Sequence, residues 1–185
     1  MSKIGRLPIT VPKGVEVKIE GNKVTVKGPK GQLVRELHPD MTMALSGTPL
    51  TVTRPTNSKM HRSLHGLTRT LINNMIVGVS QGFDRSLELV GVGFRAQIAE
   101  GKLSLRVGYS HTVEVAPTTG VAYALESPTL IKLQSTDKEL LGETAVKICR
   151  THIPDSYKGK GLRTRGKLFR LKPGKAGKGA AKAKA

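Results

Sequence analysis

Apolar and polar residues alternate in short runs along most of this chain, and the runs come in two sets. Val15-Glu16-Val17-Lys18-Ile19 and Val24-Thr25-Val26-Lys27 alternate as half-buried strands do, and Glu20-Gly21-Asn22-Lys23 between them reads as a hairpin turn. Gly28-Pro29-Lys30-Gly31 turns the chain again into a third strand, Leu33 to Leu37. Ile9 to Val11, flanked by Pro8 and Pro12, is expected to be a short edge strand, because proline cannot donate to a ladder. Met41 to Leu45 and Leu50 to Thr53 complete the first set. From Lys59 the spacing changes to threes and fours at Met60, Leu64, Leu67, Leu71 and Met75. That predicts a helix with Ser58 as N-cap, running to about Ser80, where Gly78 and Gly82 weaken it.

The second set repeats the order. Strands are expected at Leu87 to Val92, Phe94 to Ile98, Leu103 to Val107, Val113 to Val115, Val121 to Leu125 and Leu130 to Leu133. Asp137 then caps a helix from Lys138 to about Arg150, with Leu141, Ala145 and Ile148 on one face. A fixed offset relates the sets: Ile19 falls on Ile98, Lys23 on Lys102, Val34 on Val113, Pro49 on Pro128 and Ser58 on Asp137. The reading is an α+β fold made by tandem duplication of a small unit of mostly antiparallel strands plus one helix. The expected domains are residues 1–81 and 82–172, followed by a disordered basic tail, 173–185.

Charge changes the picture most. The chain of 185 residues carries a formal net charge of +18, and no acidic residue follows Asp155. Pro154 to Lys184 is a run of cations separated by glycines; it repels itself and is not expected to fold alone. A polyanion is its natural partner. Nucleic acid is the commonest one, because each neutralised phosphate releases condensed counterions. Aromatic residues make up only 3% and Trp is absent, which favours phosphate contact over rows of stacked bases. Cys149 is alone, so no internal disulfide forms, in keeping with a reducing cytosol. No apolar run reaches membrane-spanning length, and the first residues lack a signal-peptide core.

Motifs that suggest catalysis are each incomplete. Gly161-Leu162-Arg163-Thr164-Arg165-Gly166-Lys167-Leu168 approaches a phosphate-binding P-loop, but Leu168 stands where magnesium needs Ser or Thr. Gly91-Val92-Gly93-Phe94-Arg95-Ala96 fits a dinucleotide fingerprint, yet the alternation continues as a strand instead of opening a helix, so a bend or bulge is expected. His61 and His65 share a helix face, but Arg62 replaces the glutamate of a zinc hydrolase; with Lys59 and Arg69 the face reads as cationic. Ser110 and His111 are adjacent, with no carboxylate placed to orient the imidazole. Neither enzyme activity, cofactor nor metal is expected.

Several segments resemble the bacterial-type sixth protein of the large ribosomal subunit. They are Ser2 to Arg6 with Pro8-Ile9, Val26 to Gly31, His65 to Arg69, Asn73 to Met75, Leu89 to Arg95, Gly108 to His111, and above all Tyr157-Lys158-Gly159-Lys160-Gly161 with Arg163. The resemblance covers the chain to about Leu171. It departs at Asp155-Ser156, where the family usually has Glu-Pro, and at Thr164 and Lys167, where an aromatic and an acid are usual. It implies a non-catalytic cytoplasmic protein that binds large-subunit ribosomal RNA beside neighbouring ribosomal proteins. It places that protein near the translation-factor side, by the sarcin–ricin region and stalk base. The RNA-binding residues expected are Tyr157, Lys158, Gly159, Lys160, Gly161, Arg163, Arg165, Lys167 and Arg170, with phosphates on the cations and the glycines allowing close approach. A free-standing nucleic-acid chaperone or nucleoid-type DNA binder is the alternative reading.

Overall fold

The computed structural model describes residues 4–45, 49–99 and 101–175. The alternating stretches become β1 (Glu16–Glu20), β2 (Lys23–Gly28), β3 (Gly31–Glu36), β4 (Thr42–Leu45) and β5 (Leu50–Thr53), followed by α1 (Lys59–Ser80). The second set becomes β6 (Phe83–Val90), β7 (Arg95–Ala99), β8 (Lys102–Arg106), β9 (Val113–Val115), β10 (Val121–Ser127) and β11 (Leu130–Ser135), followed by α2 (Lys138–Thr151). One further strand, β12 (Gly161–Thr164), closes the order. The chain divides into two compact units, Met1–Phe83 with Ser135–Lys138, and Asp84–Gln134 with Glu139–Ala185.

The duplication is visible in the registers. Seventy-nine positions separate the first residues of β1 and β7 (16 and 95), of β2 and β8 (23 and 102), of β4 and β10 (42 and 121), and of α1 and α2 (59 and 138). The β1–β2 ladder sets Val17 opposite Val26 and Ile19 opposite Val24; the β7–β8 ladder sets Ala96 opposite Leu105 and Ile98 opposite Leu103. The third strands are one residue out of step. Val26 faces Leu33 across β2–β3, whereas Leu105 faces Val113 across β8–β9. Val113 therefore corresponds to Leu33 and not to Val34, which is exposed. Because side chains alternate with period two, a one-residue insertion must be absorbed in the loop if Val113 and Val115 are to keep the half-buried face.

In the first unit β1–β2–β3 and β4–β5 form separate sheets. The helix α1 packs against β2, β3 and β5 over a core that includes Val24, Val26, Leu50, Ile72 and Val79. Ser58 caps α1, its hydroxyl accepting from the His61 N–H at 3.2 Å. The helix ends as Gly82, at φ +78°, leaves it and donates to the Val77 carbonyl. Its buried stripe is His65, Thr68, Ile72, Met75, Ile76, Gly78 and Val79; of the predicted row, Met75 is buried and Leu64 and Leu71 are half-buried against the core. Met60 and Leu67 are exposed, and the core side is instead marked by two polar residues, His65 and Thr68. The predicted edge strand at Ile9 to Val11 is a single antiparallel bridge from Ile9 to Leu50. β6 spans the corresponding place in the second unit, 79 positions after Ile9, and runs for eight residues. Proline at 8 and 12 explains the difference, since neither can donate beyond Ile9.

The second unit holds a three-stranded sheet, β7–β8–β9, and a four-stranded one in the order β10–β11–β6–β12. Leu87, Leu89, Leu103, Leu105, Ile131, Leu133, Leu141 and Ile148 are buried there. Between β6 and β7 the glycines make the expected bend: Phe94 N–H donates to Gly91 O at 3.3 Å, and Gly93 has φ +79°. Strand β12 corrects the expectation that everything after Pro154 depends on a polyanion for order. Leu162 lies opposite Leu89 with none of its surface exposed, and Arg163 lies opposite Glu88.

Gly161 is the tightest point of this arrangement. It has φ +150°, and a Cβ there would stand 2.6 Å from the Cα of Pro154. Gly161→Ala is expected to destabilise the second unit by about 1–3 kcal/mol, because the obstacle is backbone. Gly174→Ala, in open space, is expected to be neutral. Urea unfolding of the two variants decides it, and equal midpoints would mean that the chain clears Pro154 without strain.

Candidate nucleic-acid interface

The basic segment is built outward from the end of α2. After Thr151 the chain turns at Ile153-Pro154, and the Leu162 N–H returns to the His152 carbonyl at 3.0 Å. Between these points lies a six-residue loop, Asp155 to Lys160, closed by its own hydrogen bonds. Asp155 N–H donates to Lys160 O at 2.9 Å, and Gly159 N–H donates to Asp155 O at 2.9 Å. The Asp155 carboxylate accepts from the Lys158 N–H at 3.0 Å. Lys172 N–H donates to Ser156 O at 2.9 Å, so the chain leaving β12 comes back over the loop.

Asp155 is the one acid in this stretch, and it faces backbone amides. The Lys158 N–H holds its carboxyl below the usual carboxylate range against the opposing effect of desolvation, helped by the Tyr157 and Ser156 amides and the Lys158 charge. Asp155 is exposed, but its carboxylate is engaged by the loop's own backbone, and Lys158 and Lys160 are exposed beside it. Asx-type turn chemistry, an Asp three residues ahead of an amide, was the signal in the sequence that could have revealed this closure.

The predicted residues separate into three kinds. Tyr157 (59% exposed), Lys158 and Lys160 stand on the loop surface, and Arg165, Lys167 and Arg170 are exposed beyond β12. Lys167 Nζ sits 5.4 Å from the centre of the Phe169 ring. Arg163 is half-buried, with Nε 3.2 Å from Glu88 Oε2, so its charge is partly neutralised across the β12–β6 ladder. Gly159 and Gly161 are buried. A Cβ on Gly159, at φ +69°, would touch Leu171, and one on Gly161 would meet Pro154. These glycines let protein approach protein, where the sequence suggested approach to RNA. Lys178, Lys182 and Lys184, and most of the predicted tail, lie outside the described residues. Arg85, which no sequence pattern linked to the segment, and Arg150, at the helix end just before it, are exposed and line a cavity with Arg163 and Lys167.

The other candidate motifs have local partners. His65 Nε2 lies 2.8 Å from the Val52 carbonyl and Nδ1 lies 3.4 Å from Arg54 Nη1. A carbonyl only accepts and a guanidinium only donates, so these partners suit a ring that donates from Nε2 and accepts at Nδ1. Gly5 packs on its face, where a Cβ would come within 2.4 Å of Nδ1. His61 is held by Thr56 at 2.6 Å and Asp40 at 3.1 Å. Arg69 donates to the Leu7 and Pro8 carbonyls at 3.2 and 3.4 Å, so part of the supposed cationic face anchors the N-terminal segment. Among the described residues no cluster of three His, Cys, Asp or Glu is placed to hold a metal ion. None of their helices is long and apolar enough to cross a membrane.

Both units match one family, Ribosomal protein L6, over residues 11–82 and 90–164. The chain belongs to the ribosomal protein L6 family. Proteins called large ribosomal subunit protein uL6 are similar to it over nearly its whole length. That of Pelotomaculum thermopropionicum is 55% identical over 177 residues, covering 96% of this chain and 97% of the relative. That of Trichormus variabilis is 50% identical over 182 residues, covering 98% and 100%. The L6 family is a family of structural proteins, not enzymes, and the duplicated α+β units are its fold.

The loop closure carries its own test. Because the Asp155 carboxyl is depressed in the folded chain, its contribution is present above the unfolded value, about 3.9, and is lost as pH falls through the folded one. Asp155→Ala is expected to speed amide exchange at Lys158 and Gly159 near neutral pH, with Asp155→Asn intermediate because its oxygen still accepts. Unchanged exchange in Asp155→Ala would show that the backbone bonds close the loop unaided.

Proposed function

We propose that the chain is a cytoplasmic constituent of the large ribosomal subunit that binds large-subunit ribosomal RNA through the Asp155–Lys160 loop and the cations after β12. The observation that carries this is the closed loop itself: exposed Lys158 and Lys160 on a backbone tied by Asp155, with no free acid beside them. Arg165, Lys167 and Arg170 extend the row of phosphate contacts, and Tyr157 lies against a ribose or base. Arg163, Gly159 and Gly161 hold the loop in shape. The two halves, 1–81 and 82–172, act as separate folding units, with neighbouring ribosomal proteins as further partners. The family resemblance supports a position near the translation-factor side of the subunit, by the sarcin–ricin region and stalk base.

A tethered loop loses less freedom on binding than a free tail does. Lys158→Ala with Lys160→Ala is expected to weaken binding to a ribosomal RNA fragment by about 1 kcal/mol per lost contact. It should also lower the slope of log affinity against log salt by about one for each. Truncation after Pro173 removes four lysines, twice as many, and is expected to do less damage. Affinities of the three proteins for one fragment, measured across a salt series, test this. Equal or greater loss on truncation would reduce the loop to part of a diffuse cationic arm.

A further inference from the structure

A cavity of about 230 Å³ opens beside the loop, between the last turns of α2 and the chain around β12. Val146 (46% exposed) and Ile153 (71% exposed) stand on its wall as uncovered apolar side chains, with Phe169 half-buried next to them. Arg85, Arg150 and Lys167 supply cations at its edge, and no carboxylate lines it. Their field reaches inside: burial pushes the Cys149 thiol in the cavity wall upward, and the charges of Arg85 and Lys167 oppose that shift.

Size and charge together restrict the occupant. Pockets for whole small molecules run roughly 300–1,000 Å³, so this one accepts a single ring and not a nucleotide entire or a segment of helix. An apolar wall favours a flat ring face, and a cationic rim favours anionic groups attached to that ring but left outside. A nucleobase with its flanking phosphates has both properties. The scarcity of aromatic residues disfavours a row of stacked bases, but one pocket needs only Phe169. We propose that this cavity seats one unstacked base of the RNA held by the neighbouring loop, with the adjoining phosphates on Arg85, Arg150 and Lys167. This rests on the RNA-binding reading above. An apolar side chain of an acidic neighbouring protein would also meet the cationic rim. RNA is favoured because Lys167 belongs both to the rim and to the row of exposed cations that continues from the loop.

Cys149 is the chain's one cysteine and lines the cavity, so its alkylation reports occupancy. The full chain is treated with iodoacetamide at about pH 8.5, where an ordinary thiol is half ionised, alone and with saturating large-subunit ribosomal RNA. The RNA is expected to slow alkylation about tenfold. Ile153→Ala and Phe169→Ala are each expected to weaken RNA binding about fivefold or more while leaving the salt slope unchanged, since neither removes a phosphate contact. RNA that binds with the expected salt dependence yet leaves Cys149 reacting at its free rate would overturn the base pocket and leave the RNA-binding reading intact. Protection found only in whole large subunits would assign the cavity to a protein neighbour. Failure of the unaltered chain to bind the RNA would overturn both readings.

Discussion

The arrangement of the basic end depends on one short ladder. Four residues, Gly161 to Thr164, pair antiparallel with β6 and bring Leu162 into the core. Burying a leucine side chain is worth about 1.5–3 kcal/mol. The half-exposed Arg163–Glu88 pair beside it contributes about 0–1 kcal/mol. Apolar burial and the ladder bonds therefore fix the strand, and the ion pair selects which residue faces Glu88. Once β12 is in place, the two ends of the Asp155–Lys160 loop are held, one by Pro154 and the other by Gly161. The Arg165 N–H then donates to Ser86 O at 2.9 Å and starts the chain on its way back.

That constraint orders a row of charge that would otherwise repel itself. Cations on a free segment gain Coulomb energy from a polyanion and lose conformational freedom to it. Here the backbone is already ordered by protein bonds, and the one acid, though exposed, accepts from the Lys158 amide. The glycines serve the same end. Their missing side chains admit Leu171 and Pro154, which allows the loop to be compact.

The two units show how a duplicated fold diverges by small backbone changes. Strand β6 runs for eight residues and supports β12 on its edge, whereas its counterpart around Ile9 is one bridge between prolines. Without a ladder there, the first unit has no place to dock a strand like β12. There the chain is instead tied around His65, a ring fixed between Val52 and Arg54 with Gly5 on its face.

Local pattern alone determined a great deal. Alternation placed β1 to β5 and β7 to β11 within a few residues, the Ser58 signal placed the start of α1, and the fixed offset disclosed the repeat. Those features follow from periodicity and capping, which act over neighbouring residues. Tertiary structure decided the rest. It put Met60 and Leu67 outside and His65 and Thr68 inside, because the core side of α1 is set by the strands it meets. It moved the partner of Val113 from Val34 to Leu33, because a ladder's register depends on both strands. Gly161-Leu162-Arg163-Thr164 contains one apolar residue and is too short to show a period, so its being a strand was invisible until Leu89 and Glu88 lay opposite it. The same holds for Arg85 and Arg150. Arg85 is distant from the loop in sequence and Arg150 sits at the end of α2, and only packing brings their charges to the rim of one cavity with Lys167.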